Sequence, residues 1–276
     1  MSVRRSFMQS RLKQLIPISV RMWIKRQLLS WEDRQNPITE ARVPPRAQTL
    51  IGGGDFTQVG DAFFETLKRH GLRPDMTILD VGCGQGRMAR PLVGFLNTGQ
   101  YHGFDISKQG IEWCRNHYAD QTSFSFEHVP VFNRRYNPKG TVQASSFIFP
   151  YDDDQFDLIF LTSVFTHMFK DDIAQYLDQI ARVLKPGGKA MITWFLLNES
   201  SLTSEKPALD FSYEWDDVCR TTTPKNPEAA LAFEENFVRR LYKECGLKIT
   251  EIEYGSWART DSSYQLQDMI IACYNE

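Results

Sequence analysis

A short apolar segment that runs directly into three regularly spaced glycines constrains the fold most strongly. Residues 77–81 predict a buried strand, Gly82, Gly84 and Gly86 predict a tight turn, and residues 88–96 predict a helix. Glycine has no Cβ atom, so the backbone can adopt positive φ in the turn and a ligand can approach it closely. A strand, a glycine turn and a helix in succession indicate a βαβ unit and therefore a parallel sheet.

The alternation of strands and helices continues through most of the chain. Three further helices are predicted over residues 108–119, 171–184 and 231–245, and six further strands over residues 101–104, 123–129, 156–161, 190–197, 247–254 and 266–274. Right-handed crossovers place such helices on both faces, which predicts a doubly wound, mostly parallel α/β sheet. Ligands bind beyond the carboxyl ends of the strands, so chemistry is expected near Asp105, Leu161 and Trp194.

Charge is distributed unevenly along the chain. Of the 32 Lys and Arg residues, seven lie in the first thirty positions, which contain no Asp or Glu. The remaining 246 residues therefore carry 25 basic and 34 acidic side chains, a net charge of −9. Nucleic-acid binding depends on a basic surface, so the acidic body argues against a nucleic-acid partner.

The cysteines and the apolar segments indicate the compartment. The five cysteines form no CxxC pair, which is typical of reduced thiols in a cytoplasmic protein. No apolar run is long enough to span a bilayer, and charged residues and Pro17 interrupt the early apolar stretch where a signal peptide would lie. We therefore expect a cytoplasmic protein.

Residues 1–45 predict an arm that precedes the main domain at residues 46–276. Apolar residues recur at helical spacing over residues 18–31 with basic residues between them, and a Pro-rich connection follows. Such a helix could make peripheral contact with an anionic membrane through residues 3–31. It could equally pack its apolar stripe on the domain or on the second subunit of a homodimer, which we favour.

A carboxylate at the end of the second strand indicates the kind of ligand. Asp105 lies nineteen residues after Gly86, where it can accept hydrogen bonds from both hydroxyls of a ribose. The dinucleotide fingerprint is GxGxxG, whereas here the spacing is GxGxG with Asp80 just before it. A carboxylate would repel a pyrophosphate and attract the ammonium of a methionine moiety. The charge therefore favours S-adenosylmethionine over NAD, although a tight strand-to-helix connection without a ligand is also compatible with the glycines alone.

Four segments resemble the motifs of the class I S-adenosylmethionine-dependent methyltransferases, in that family's order and spacing. They are LDVGCGQG at 79–86, GFDIS at 103–107, FPYDDDQFDLIFLTSVFTHM at 149–168 and RVLKPGGKAMITWF at 182–195. The resemblance implies a seven-stranded sheet with an antiparallel last strand and an enzyme that transfers a methyl group from S-adenosylmethionine.

The resemblance also implies the residues that hold the cofactor. Asp80 and the glycines would contact the methionine part, and Asp105 with Ile106 would hold the ribose. Two serines stand where many relatives have an Asp-Ala pair, so no carboxylate reaches the adenine there. The cofactor-binding residues predicted in this way are Asp80, Gly82, Gly84, Gly86, Asp105, Ile106, Ser145, Ser146 and Thr162.

His167 follows the fourth strand and is the candidate catalytic residue. An imidazole can accept the proton of a hydroxyl near neutral pH, so we predict that His167 is the general base of an O-methyl transfer. The alternative is a structural histidine at the start of a helix, as in many relatives. No metal is predicted, since the Asp152–Asp154 run has no further oxygen ligands and is typical of a solvated turn.

Aromatic side chains and two long segments are expected to determine the acceptor. The predicted substrate-binding residues are Tyr136, Phe165, Trp194 and Tyr213, although aromatic residues more often lie in a core. Residues 133–140 form a long loop before the fourth strand, and residues 198–230 form a polar insertion that we interpret as an acceptor lid. Arg134, Arg135 and Tyr136 could meet a sugar or an anionic group, or form a solvent-facing turn.

Less specifically, the chain resembles bacterial methyltransferases associated with glycan and polysaccharide biosynthesis. The segments that carry this resemblance are residues 42–45, 52–56, 136–138, 163–168 and 255–257. It implies a small-molecule or sugar hydroxyl as the methyl acceptor. An RNA or protein methyltransferase and a cofactor-binding scaffold without catalysis remain alternatives, because a fold and its cofactor do not determine the substrate.

Overall fold

The computed structural model describes residues 18–49, 54–258 and 265–274. The chain divides into two compact units, one that ends at Val59 and one that begins at Gly60. The boundary predicted from the Pro-rich connection lies earlier, at residues 45–46. Residues 3–17 of the predicted arm, and Gly52 and Gly53, lie outside the described residues.

The first unit is built on one long helix, α1 (Ile18–Gln35). The carboxylate of Asp33 accepts hydrogen bonds from the Arg46 guanidinium at 3.0 Å and from the Ala47 amide at 3.1 Å. These bonds hold the following connection against the last turns of α1. The apolar side chains on α1 that are exposed are Val20, Trp23, Ile24, Leu28 and Trp31. None of the helices in the described part of the chain is long and apolar enough to cross a bilayer.

Strands and helices alternate through the rest of the chain, after a helix that begins in the first unit, α2 (Phe56–Arg69). The strands are β1 (Thr77–Val81), β2 (Gln100–Asp105), β3 (Phe124–His128), β4 (Phe156–Leu161), β5 (Leu184–Trp194), β6 (Leu196–Leu197), β7 (Tyr213–Glu214), β8 (Cys219–Thr221), β9 (Leu231–Glu234), β10 (Leu247–Glu253) and β11 (Asp268–Tyr274). The helices are α3 (Lys108–His117), α4 (Lys170–Val183), α5 (Glu199–Leu202) and α6 (Glu235–Glu244).

The main sheet has seven strands in the order β10-β11-β5-β4-β1-β2-β3. Strands β1 to β5 pair in parallel, and β11 runs antiparallel to both of its neighbours. The α/β fold class and the antiparallel last strand are thus confirmed. The strand order reverses beside β1, where β2 lies on one side and β4 on the other. The turn after β1 therefore lies at the crevice where such sheets bind ligands.

The centre of the sheet is buried on both faces. Ile159, Phe160 and Leu161 of β4 are fully buried, as the continuous apolar run predicts. The ring of Phe63, from α2, contacts that of Phe160 edge-on with 5.1 Å between the centroids. Burial of each such side chain contributes about 1.5–3 kcal/mol to stability. The rigid centre places the carboxyl ends of β1, β2 and β4 side by side.

The prediction of a helix after the glycine turn is wrong. Residues 88–96 form turns, with one short 3-10 segment at Arg90–Leu92. Pro91 has no amide proton to donate, Val93 is extended with ψ of 125°, and Gly94 adopts a φ of +80°. A continuous helix cannot accommodate the last two conformations.

The polar insertion and the residues that flank it form a second sheet that the sequence did not reveal. Its four strands lie in the order β6-β9-β8-β7, and residues 231–234 form β9 rather than the first turn of the predicted helix. The fifth strand also ends at Trp194, because Leu196 and Leu197 pair with β9 instead. Phe195, Phe211 and Trp257 belong to a small apolar cluster that includes Leu197 of β6 and Ala232 of β9. The insertion is therefore an ordered layer rather than an irregular loop.

Candidate active site

The glycine turn leaves an open space above the backbone. Gly82, Gly84 and Gly86 adopt φ angles of +82°, +56° and +74°. A Cβ atom added to Gly84 would meet no atom within 4 Å, whereas one added to Gly86 would lie 3.0 Å from the hydroxyl of Tyr118. That hydroxyl donates a 2.9 Å hydrogen bond to the Gly86 carbonyl and supports the turn from below. A ligand can thus approach the backbone at Gly84.

The carboxylate of Asp105 is held beside this turn. Its Oδ2 accepts the Gly84 amide at 2.7 Å, and its Oδ1 accepts the Ser107 amide at 2.6 Å. Each oxygen keeps one lone pair for another donor, which suits the two hydroxyls of a ribose. Burial raises the pKa of Asp105, and the two backbone amides and nearby His128 oppose that rise.

Asp80 is buried with an incomplete set of partners. Its side chain is 1% exposed, and its Oδ2 accepts a 2.7 Å hydrogen bond from the hydroxyl of Tyr101. Its Oδ1 has no hydrogen-bond partner among the described residues. Burial raises the pKa of Asp80 to about 7. A buried, unsatisfied acceptor next to an open glycine turn fits a cationic group such as an ammonium.

The residues after β4 are held in a strained conformation. Ser163 adopts a φ of +58°, which is uncommon for a residue other than glycine. Its amide donates to Thr193 Oγ1 at 2.8 Å, and its hydroxyl donates to Gln267 Oε1 at 3.1 Å. Such strain is concentrated at functional sites. The sequence pointed to the neighbouring Thr162 and missed Ser163, because backbone strain has no sequence signature here.

The hydrogen bond of His167 defines its tautomer. His167 ends a short 3-10 turn (Phe165–His167), and its Nδ1 lies 2.8 Å from the Glu228 carbonyl oxygen. A carbonyl can only accept, so Nδ1 carries the proton and Nε2 presents a lone pair. Burial lowers the pKa of His167, an effect that the Glu228 carbonyl opposes and nearby Arg135 reinforces. Burial therefore favours the neutral form of the ring, in which Nε2 is unprotonated.

The loop before β4 reaches His167. The Tyr136 ring lies edge-on to the His167 ring, with 5.6 Å between the centroids. The Arg135 guanidinium lies 5.2 Å from the centroid of the Tyr136 ring. The structure thus brings together His167 and Tyr136, two residues that the sequence singled out separately, and adds Glu228 from the insertion. A contact across the insertion could not be inferred from spacing.

The other predicted acceptor residues are placed differently. Phe165 and Trp194 are fully buried, with 4.9 Å between their ring centroids, and the Trp194 indole donates to the Tyr242 hydroxyl at 3.1 Å. As placed, they offer no surface to an acceptor, which favours the core alternative. Tyr213 lies on the edge strand β7 and is 49% exposed.

The remaining predicted cofactor residues lie around the same edge of the sheet. Ile106 and Thr162 are half-buried at the ends of β2 and β4. Ser145 and Ser146 are exposed in a 3-10 turn before β4, where the Ser145 amide binds the Asp172 carboxylate. Among the residues that the structure describes, no cluster of His, Cys, Asp and Glu could hold a metal ion.

Residues 79–192, which contain the glycine turn, Asp105 and His167, match the family model of a methyltransferase domain. This region therefore has the sequence signature of a methyltransferase domain. The open turn, the unsatisfied Asp80 oxygen and the Asp105 carboxylate fit the nucleoside and the charge of S-adenosylmethionine, the cofactor that the sequence resemblance implies.

Known proteins resemble part of this chain at low identity. The chain is 32% identical over 138 residues to an O-methyltransferase of Penicillium expansum, a match that covers 48% of this chain and 40% of that protein. It is 28% identical over 144 residues to a sterol 24-C-methyltransferase of Gibberella zeae, which covers 47% of this chain and 32% of that protein. The chain spans less than half the length of either relative.

The solved structure of an S-adenosylmethionine-dependent methyltransferase from Methanosarcina mazei shares the fold. It superimposes with a TM-score of 0.52 at 20% identity and covers 76% of this chain and 97% of that one.

Proposed function

We propose that the protein methylates a hydroxyl oxygen of a small molecule or sugar and that His167 is the general base. The observation that carries this proposal is the hydrogen bond from His167 Nδ1 to the Glu228 carbonyl at 2.8 Å. It commits the lone pair of Nε2 to accepting a proton. Burial keeps the ring neutral, so the base is available at physiological pH.

The residues around β1 and β2 would hold the cofactor, whose sulfonium supplies an electrophilic methyl group when bound. We propose that the Asp80 carboxylate pairs with the ammonium of the cofactor and that Asp105 accepts hydrogen bonds from its ribose. Gly84 would lie against the cofactor, since its Cβ position is open. Fixing both reactants in line can remove several kcal/mol, on the order of 7–11 in favourable cases, from the barrier.

The transfer balances without a further reactant. The acceptor O–H bond would break as its proton passes to His167 Nε2, and an O–CH3 bond would take its place. When bound, the cofactor would supply that methyl group and keep the electron pair of its S–CH3 bond as a neutral thioether. The proton then leaves His167 for water, which restores the base.

Two substitutions of His167 separate its two nitrogens. His167→Asn retains an N–H donor that can reach the Glu228 carbonyl but removes the Nε2 base, and His167→Ala removes both. We expect both variants to lose about 10²–10⁴-fold in turnover and to keep their affinity for S-adenosylhomocysteine. Turnover of the unchanged protein should fall as the pH drops through the lowered pKa of His167.

The assay is transfer of a labelled methyl group to a panel of sugars, glycans, phenols, RNA and protein. Full activity of His167→Asn would show that the ring only supports the fold. Labelling confined to RNA or protein would favour those acceptors, and binding of S-adenosylhomocysteine without any labelling would favour a scaffold.

We also propose that α1 makes peripheral contact with an anionic membrane. Trp23 and Trp31 are 62% and 58% exposed on an apolar stripe, and Lys25 and Arg26 lie beside that stripe. Aromatic rings at the acyl boundary and basic groups on the headgroups suit such a surface. Replacing both tryptophans with serine should abolish co-sedimentation with phosphatidylserine vesicles. Equal sedimentation of the unchanged protein and the double variant would exclude this contact. A dimer that depends on the two tryptophans, without vesicle binding, would indicate that α1 packs on a second copy of the chain.

A further inference from the structure

Two adjacent arginines lie on the loop whose Tyr136 ring contacts His167. Arg134 and Arg135 are exposed on the loop before β4, and neither forms a salt bridge within the described residues. Both arginines act on the carboxylate of Glu228, whose pKa is raised by burial and by nearby Asp172 and lowered by Arg134 and Arg135. Their exposed guanidiniums thus remain open to a further anionic partner.

The turn that carries these arginines is preformed. Asn133 Oδ1 accepts the amides of Arg135 at 3.0 Å and Tyr136 at 2.9 Å. The Asn137 side chain donates to the Val131 carbonyl at 2.9 Å and ties the loop to its own base. Binding an anion here therefore requires little ordering of the backbone.

The contacts along the loop connect the arginines to the base. The Arg135 guanidinium lies over the Tyr136 ring, and that ring lies against His167. An acceptor that contacts the His167 ring would therefore also lie near Tyr136 and Arg135. A guanidinium binds a carboxylate or phosphate through two parallel hydrogen bonds and thereby also fixes the orientation of the ligand.

We propose that the acceptor is an anion whose carboxylate or phosphate group binds Arg135 and Arg134 while its hydroxyl faces His167. This inference rests on the proposed function and specifies the substrate class of the same site. The anionic group anchors the acceptor, so the arginines act on binding, whereas His167 acts on the proton.

Paired acceptors test the inference. Methyl transfer is measured to glucose, glucuronate and glucose 6-phosphate, and to phenol and 4-hydroxybenzoate. We expect the anionic member of a pair to be preferred, and Arg135→Gln to raise its KM about tenfold or more with kcat nearly unchanged. The Arg135→Gln substitution should not change methyl transfer to the neutral acceptors, glucose and phenol. Comparison of glucuronate with glucose 6-phosphate shows whether the site prefers a carboxylate or a phosphate.

Two charge-removing controls match the test variants. Arg240→Gln removes an exposed arginine from α6, and Lys139→Gln removes an exposed charge from the same loop. Both should leave the KM for anionic acceptors unchanged. Equal KM increases in Arg240→Gln and Arg135→Gln would indicate a general charge effect and overturn the inference.

A binding measurement makes the test independent of turnover. Labelled imidazole signals are followed by NMR while acetate or inorganic phosphate is added to the complex with S-adenosylhomocysteine, and His167→Asn assigns the His167 signal. We expect this signal to shift in the unchanged protein and not in the Arg134→Gln/Arg135→Gln variant. An unresponsive signal would overturn the inference even if neutral hydroxyls are methylated. If no acceptor is methylated, the proposed function fails, whereas this titration still reports on anion binding.

Discussion

The hydroxyl of Tyr101 donates a 2.7 Å hydrogen bond to Oδ2 of Asp80, the buried carboxylate that precedes the glycine turn. This bond lowers the pKa of Asp80, but burial outweighs it, so the pKa rises to about 7. The carboxylate thus loses its proton near physiological pH, and its second oxygen has no partner in the described structure. A cationic ligand would stabilise the ionised form.

The affinity for the cofactor should therefore depend on pH. If the ammonium of S-adenosylhomocysteine pairs with ionised Asp80, binding below pH 7 releases a proton, and affinity should rise up to about tenfold per pH unit until it levels off above that value. Calorimetry in buffers of different ionisation enthalpy measures both the affinity and the number of protons released. Asp80→Asn should bind weakly with a flatter pH profile, and an unchanged slope in that variant would assign the titration to another group, such as Asp105.

The stability of the cofactor-free protein should show the opposite trend. The pKa of Asp80 is about 7 in the folded state against an ordinary aspartate value of 3.8, so the folded state binds the proton more tightly than the unfolded chain does. The resulting stabilisation is present below pH 4 and is lost as the pH rises to 7, by roughly 4 kcal/mol at most. Urea unfolding of the unchanged protein and of Asp80→Asn between pH 4 and 7 gives the difference in their free energies of unfolding. If that difference does not change with pH, the titrating group is not Asp80.

Tyr101→Phe should move the pH midpoint of cofactor binding upward. The substitution removes the donor that lowers the pKa of Asp80, so a higher pH is needed to ionise the carboxylate. A shift of about one unit corresponds to a typical buried hydrogen bond to a charged group. Tyr118→Phe is the control, because the Tyr118 hydroxyl donates to the Gly86 carbonyl instead. Identical midpoints in the two variants would argue against this role of Tyr101.

Gly84→Ala should weaken cofactor binding without a special loss of stability. Gly84 and Gly187 have φ angles of +56° and +74°, and an added Cβ would meet no atom within 4 Å at either position. Both substitutions should therefore cost about 1–2 kcal/mol through backbone strain alone. Only the methyl group at position 84 should enter the space for the cofactor. Calorimetry should then show weaker binding of S-adenosylhomocysteine to Gly84→Ala and normal binding to Gly187→Ala.

Asp268→Asn should destabilise the protein by about 2–4 kcal/mol. The buried carboxylate accepts the amides of Leu196 and Gly255 and the indole N–H of Trp257, each at 2.7 Å. An amide would direct its own donor at one of these groups and leave it unsatisfied. Asp153→Asn breaks a pair with Arg182 in which the carboxylate is 72% exposed, and should cost less than about 1 kcal/mol. Chemical denaturation measures the free energy of unfolding of both variants. Equal losses of that free energy would contradict this account.

Local patterns were sufficient for the central part of the fold. The strands β1 to β4 lie within a residue of their predicted positions, and Asp105 stands at the end of β2, beside the glycine turn, as its spacing indicated. The prediction failed at residues 88–96, where Pro91 and Gly94 override an apolar period, and in and around the insertion. The flanking strands β6 and β9 are only two and four residues long, so pairing with distant strands decides their structure.

The amino-acid sequence by itself determined the alternation of strands and helices, the glycine turn and the acidic residues on either side of it. These features depend on residues one to four positions apart and on backbone preferences that need no partner. Only the tertiary structure decided that Tyr101 would donate a hydrogen bond to Asp80 and that His167 would donate one to a carbonyl 61 residues away. Those contacts arise because sheet packing brings distant segments together and buries polar groups that must then find partners.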